Sequence, residues 1–397
     1  MNKTKLIGSA AIAALMLGSA AQADTRIGAD LGVTGGVASN PYGTVGGDSA
    51  AATLAGSFAP TVTINSPTGT TQLRGSVTHT EYSRLYDGTT DYGLSGNISR
   101  QISPLTSLTA GLSYSSYVRN GLYPVYDPIV GGPVDPGAPI IVDPSGSVNY
   151  RQRSDVFSGQ LGLGFTLSPR DTLNVSVNGT RVRFPDNMGL SKEYDTYGGG
   201  LTYMRAIGAN TSVGVGFNAA RSDYLDPAFG KTTQYTPTAQ LNTRLAPRLS
   251  LKLAAGLTFS ETQFPAVSIN NTSFYASADL CREGDRTSFC LTGSHGVSPS
   301  SIAGSSRVTA IGALYNYKID QRSSFNASAS YSRSSSLVGT GGNDSDYARA
   351  SVGYERLLRP RLSAVISVTY SDTYSSLVSR NANIHGLVGL RYRLGQN

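Results

Sequence analysis

The sequence predicts an all-β fold: a transmembrane, antiparallel, up-and-down β-barrel of about 16 strands, with about 14 or 18 as the alternatives. Three observations predict it. Segments of a dozen or so residues alternate between apolar and polar positions, which gives a strand two unlike faces. Short turns and longer polar connections follow one another in strict alternation. The composition is too poor in both charge and apolar residues for an ordinary soluble core: of 397 residues, 39% are hydrophobic and 14% charged, against about 25% charged in a typical soluble domain. A wall one residue thick, with lipid on one side and water on the other, reconciles the two percentages.

Export is expected from the first residues. Lys3 and Lys5 precede an apolar run from Leu6 to about Leu17, which is too short to span a bilayer as a helix, and Ala21-Gln22-Ala23 reads as a cleavage site. Residues 1–23 are therefore read as a secretory signal and 24–397 as the barrel. Losing Lys3 and Lys5 takes the formal charge from +7 to +5, because residues 1–23 hold no acid. That charge is small and dispersed, so no nucleic-acid partner is expected. Cys281 and Cys290 are close in sequence and, in an oxidising compartment, are expected to form a disulfide inside one loop.

Taken in order, strands are expected near 26–38, 50–64, 70–84, 89–102, 105–118, 152–167, 172–184, 193–206, 211–222, 232–245, 249–261, 305–318, 323–335, 346–357, 361–374 and 382–394. Ile27, Leu31 and Val33 alternate with Gly28, Gly32 and Thr34; Asn65-Ser66-Pro67-Thr68-Gly69 turns the chain. The later short turns are alike: Ser168-Pro169-Arg170-Asp171, Ala246-Pro247-Arg248, Asp320-Gln321-Arg322 and Leu358-Arg359-Pro360-Arg361. The long connections are 119–150, with six prolines, and 265–304, with the cysteine pair. Both termini fall on the short-turn side, and the last strand is expected to close against the first near Ile27–Val37. Strands of this length suit a tilted span of about 9–11 residues plus overhang.

One parity carries the lipid-facing residues, as in Phe157, Leu161, Leu163, Phe165 and Leu167; the other carries Asn174, Ser176, Asn178 and Thr180 on the next strand. Tyr203, Tyr331, Tyr354, Tyr370 and Tyr392, near strand ends on the apolar parity, suit interfacial girdles. The same register sends Arg74, Arg244, Lys252, Arg307, Arg349, Arg391 and Arg393 to the lumen, with Asp91 and Glu355 as acids. Such an excess of bases either favours anions or fills and hydrogen-bonds the interior wall.

Catalytic and metal signals are weak. His79, His295 and His385 have no partners at ligand spacing, and no metal or cofactor is expected. Ser294-His295 are sequence neighbours, whereas a nucleophile and its base are brought together by the fold. Gly47-Asp48-Ser49 reads as a turn, and Gly341–Asp346 as a polar loop without the closing glutamate of a calcium loop.

The closing strand, with Val388, Leu390, Tyr392 and Leu394 at alternating positions, resembles the C-terminal insertion signal of bacterial outer-membrane β-barrel proteins, although Gly395-Gln396-Asn397 follow it. The resemblance covers the whole of 24–397. It implies an outer-membrane location, with membrane lipids and the barrel-assembly machinery as partners. The block Arg84–Tyr92 and the repeated Ser-Pro-Arg-type turns look like barrels that accompany exopolysaccharide export, which implies export components as further partners and carries no site residues. The function expected is a channel for small polar solutes or polysaccharide, not an enzyme. A barrel-embedded hydrolase and a structural or adhesive surface barrel are the alternatives.

Overall fold

The computed structural model describes residues 24–43, 49–118, 152–185, 192–300, 304–337, 344–375 and 381–395. The expected signal at 1–23 and the proline-rich connection 119–150 lie outside these residues. Eighteen strands form one sheet: β1 (Asp24–Ala38), β2 (Ala51–Ser66), β3 (Gly69–Tyr82), β4 (Thr89–Ser103), β5 (Thr106–Val118), β6 (Arg153–Ser168), β7 (Asp171–Arg183), β8 (Tyr194–Ala206), β9 (Thr211–Tyr224), β10 (Lys231–Ala246), β11 (Leu249–Gln263), β12 (Ser268–Glu283), β13 (Thr287–Ser300), β14 (Gly304–Lys318), β15 (Ser323–Ser336), β16 (Ser345–Arg359), β17 (Leu362–Ser375) and β18 (Asn383–Gly395). Each pairs antiparallel with its neighbours in sequence, and β18 closes on β1 from Gly28↔Gly395 to Ala38↔His385.

The alternation in the sequence becomes an outside and an inside. Ile27, Val33, Leu54, Leu94, Phe157, Val215, Ile311, Ile366 and Val388 all point outward and are 50% or more exposed, except that Leu31 and Phe58, a cross-strand pair, are 40% and 44% exposed. An exposed apolar surface this extensive is that of a barrel whose outer solvent is lipid. Outward tyrosines gather at two levels: Tyr203, Tyr354 and Tyr392 near the turn end, and Tyr92, Tyr235 and Tyr370 near the loop end. Beyond them at the loop end, outward charges pair with one another, as in Arg181 with Asp195 at 2.9 Å and Arg221 with Asp223 at 2.9 Å.

Two prolines face lipid within the wall. Neither has an N–H to donate, and the ladder is interrupted at each: β2–β3 pairing passes from Phe58↔Val77 to Thr61↔Arg74, and β10–β11 pairing from Tyr235↔Phe259 to Thr238↔Gly256. Gly75 stands opposite Pro60, and Gly256 beside Pro237. A Cβ on Gly256 would lie 2.0 Å from the Pro237 carbonyl oxygen, so only glycine lets the strands approach there.

The barrel has 18 strands, not the expected number near 16. The difference lies in 265–304, which the sequence reading assigned to one long loop. It holds β12 and β13, joined by Gly284-Asp285-Arg286, where Asp285 takes two 2.9 Å hydrogen bonds from Arg248. The outward face of β12 is weakly apolar (Asn270, Thr272, Phe274, Ala276), so its alternation is faint. The disulfide is present, but in the wall rather than in a loop: Cys281 and Cys290 are direct cross-strand partners, 4.1 Å apart at Cα. Both project into the lumen near the turn end. The bridge spans a sequence separation of 9, and loop-closure entropy for a ring that short gives about 2–3 kcal/mol. Alkylation followed by intact-mass measurement should find no free thiol without reductant. Cys281→Ser/Cys290→Ser should lower the unfolding free energy by about that amount in urea titrations of the refolded barrel.

Candidate functional site

The closed ring of strands encloses a lumen lined by their inward parity. Arg74, Arg244, Lys252, Arg349, Arg391 and Arg393 lie on the inward parity of their strands, as do Asp91 and Glu355. Arg307 shares the strand parity of the outward residue Ile311, yet its Nε donates to the lumen-facing Ser273, because the upper end of β14 lies inside the wall. Three of the six inward-parity bases meet an acid. Arg391 is buried and pairs with Glu355; Arg393 donates to Asp30 at 3.2 Å; Lys252 stands opposite Asp279 across β11–β12. Arg349 is buried in the same arc. These side chains form a cross-braced interior wall rather than a continuous file of free cations.

The inward charges are confined to one arc. Among the described residues, β5 through β9 present none to the lumen. Their inward positions hold Ser, Thr, Asn, Gln, Gly and a few apolar or tyrosine side chains, and Gln160, Asn174, Ser176 and Asn178 are exposed there. At the loop end inward residues are buried on both arcs: Ser154, Val182 and Ser222 on β6, β7 and β9, and Thr232, Thr258, Ser260, Thr262 and Ser273 on β10–β12.

The upper part of the β13–β14 hairpin packs against Thr232, Ser273 and Tyr224. Ser305 Oγ donates to Thr232 Oγ1 at 2.9 Å, the Ser300 N–H donates to Tyr224 Oη at 3.0 Å, and Arg307 Nε donates to Ser273 Oγ at 3.1 Å. Ser305 and Arg307 belong to the outward parity of β14, yet they touch the inward face of β10 and β12. The end of this hairpin has therefore slipped inside the wall. Consistent with this, β12–β13 pairing runs only from Ala276↔His295 to Glu283↔Ser288, while β11–β12 and β13–β14 pair to their ends. Sequence reasoning missed this element because it placed β13 in a loop.

The weak catalytic candidates separate in space. Ser294 and His295 project from opposite faces of β13, and His295 Nδ1 lies 2.8 Å from Thr309 Oγ1. The carboxylates of Asp344 and Asp346 both approach Arg333, at 3.0 and 3.7 Å, instead of converging on a cation site. Ser49 donates to the Ser39 carbonyl at 3.0 Å; Gly47 and Asp48 lie outside the described residues. Among the described residues no group of three or more potential metal ligands occurs.

No family model matches the chain, and no curated protein matches it. Among solved structures it is similar to OccAB4 from Acinetobacter baumannii, with 10% identity, a TM-score of 0.46, and coverage of 95% of this chain and 99% of that one. It is likewise similar to OccK5 (OpdH) from Pseudomonas aeruginosa, at 10% identity and TM-score 0.47, covering 94% and 99%. A BenF-like porin from Pseudomonas fluorescens Pf-5 gives 9% identity and TM-score 0.47, again covering 94% and 99%.

Two predictions follow from the charges. Glu355→Gln leaves the buried Arg391 without its counter-charge and should cost about 2–3 kcal/mol in urea unfolding, a loss that Glu355→Asp should partly restore. In the connection after β9, Asp226 takes a 3.0 Å contact from Lys192, which precedes β8, and a hydrogen bond from the Ala228 N–H, and these hold its carboxyl below the usual range. The folded value lies under the unfolded one, so this contribution is complete above the ordinary Asp pKa, about 3.9, and is lost as pH falls through the lower folded value. Carboxyl NMR titration should place Asp226 below that ordinary value, and Lys192→Ala should move it upward.

Proposed function

We propose that the chain is an outer-membrane channel that passes small polar solutes. The carrying observation is the closed ring of 18 strands whose outer face is apolar and whose inner face along β5–β9 is uncharged and hydrogen-bonding. Rings of 16–18 strands are wide enough for an aqueous lumen, and the lipid-facing belt with two tyrosine levels suits the outer membrane. In this orientation the short turns face the periplasm and the long connections the exterior. The BenF-like porin that the chain is similar to fits the same reading. A permeating solute would run along the neutral arc, exchanging water for hydroxyl and amide contacts, while the paired charges of the other arc hold the wall rigid. Passage of polysaccharide, and partnership with export components, rest on the resemblance of Arg84–Tyr92 and the short turns alone.

Planar-bilayer recording of the refolded protein should show discrete conductance steps with weak ion selectivity. Liposome swelling should admit neutral sugars and small amino acids alike. Absence of any step, in a barrel shown to be folded by heat-modifiable gel mobility, would overturn the channel reading.

A further inference from the structure

The free edge of β12 has a fitting occupant within the same chain. From Ala276↔His295 downward the β12–β13 register keeps a constant sum, and continuing it upward pairs Tyr275 with Gly296, Phe274 with Val297, Ser273 with Ser298 and Asn271 with Ser300. That continuation preserves parity. Phe274 and Val297 would both face lipid, extending the apolar belt, while Ser273 and Ser298 would both face the lumen. Only Pro299, opposite Thr272, lacks an N–H to give. The observed placement is also well provided for: the same segment is held inside by the Ser305–Thr232, Ser300–Tyr224 and Arg307–Ser273 hydrogen bonds. The outward parity of β14 at this level is Ser305, Arg307 and Thr309, polar enough to lie against an interior wall. One sequence thus satisfies two placements, one by backbone pairing and one by side-chain hydrogen bonds.

We infer that the paired strand ends Gly296–Ser300 of β13 and Ser305–Thr309 of β14 are a two-position gate, docked inside against β9–β12 in one state and, through β13, zipped onto the free edge of β12 in the other. Switching between two discrete packings of one element is how such devices work. The Cys281–Cys290 bridge lies below the split and keeps β12 and β13 in register while their upper parts separate. Zipping removes the hairpin from in front of Thr232, Thr258 and Ser260 and widens the lumen on that side. This last consequence rests on the channel reading; the exchange of positions does not.

Two engineered cross-links test the exchange directly. Thr232→Cys/Ser305→Cys bridges the docked state. Ser273→Cys/Ser298→Cys bridges the zipped state, in the same lumen-facing, directly opposed arrangement as the native Cys281–Cys290 pair. With folding checked by heat-modifiable mobility, both should oxidise in the bilayer-inserted barrel, as read by intact mass after alkylation. The zipped cross-link should then give about twofold higher single-channel conductance than the docked one, a difference abolished by reductant. If only the docked pair cross-links, the hairpin has a single position and the inference falls; if only the zipped pair does, or neither, it falls as well. Cross-linking of both without any conductance would keep the exchange and overturn the channel reading instead.

Discussion

Everything in this molecule depends on the backbone hydrogen-bond ladder closing on itself. In hydrocarbon an unpaired N–H or C=O has no water to turn to, so a sheet can cross only as a ring. Closure of β18 on β1 meets that demand, and it converts a simple two-letter alternation into a wall with lipid outside and water inside. The places where the ladder is broken are informative for the same reason. At Pro60 and Pro237 the break is two residues wide and is matched by a facing or adjacent glycine. At the top of β12 it is several residues long, and there the partner strand is present but displaced inward.

The division of the lumen into two arcs follows from the same economy. Several charged side chains facing inward are braced by counter-charges on adjacent strands, as with Arg391 and Glu355 or Arg393 and Asp30. The uncharged arc needs no such bracing. Ser, Thr and Asn there are short, leave the lumen wide, and keep one hydrogen-bonding atom free for a passing solute. A hydrolase on this scaffold would need a nucleophile and base on one face, and Ser294 and His295 stand on opposite ones.

The class of fold and the sidedness of most strands were legible because period-2 alternation is a direct image of the pleat. Tyr203, Tyr331 and Tyr392 could be placed at the rims from parity and distance to the turns alone. The strand count was not legible, since β12 presents Asn270 and Thr272 where lipid-facing strands show leucine, and a cysteine pair suggests a stapled loop as readily as a stapled hairpin. Arg307 reaches the lumenal side through the inward docking of its hairpin, not through the strand parity that the sequence reading used. The inward docking of Ser305 and Ser300 left no trace in the pattern at all, because hydroxyl contacts between segments some seventy residues apart have no period.

The Cys281–Cys290 bridge has a consequence beyond stiffness. Both thiols sit on the lumenal face, directly opposed, so a slip of the β12–β13 pairing by one residue would send one of them to the lipid side and leave no bond to form. Oxidation therefore succeeds only for the correct alignment of the very pair whose upper half does not zip. The bond acts as a proofreader of assembly: it registers, covalently, the one seam whose hydrogen bonds alone are too few to insist on it.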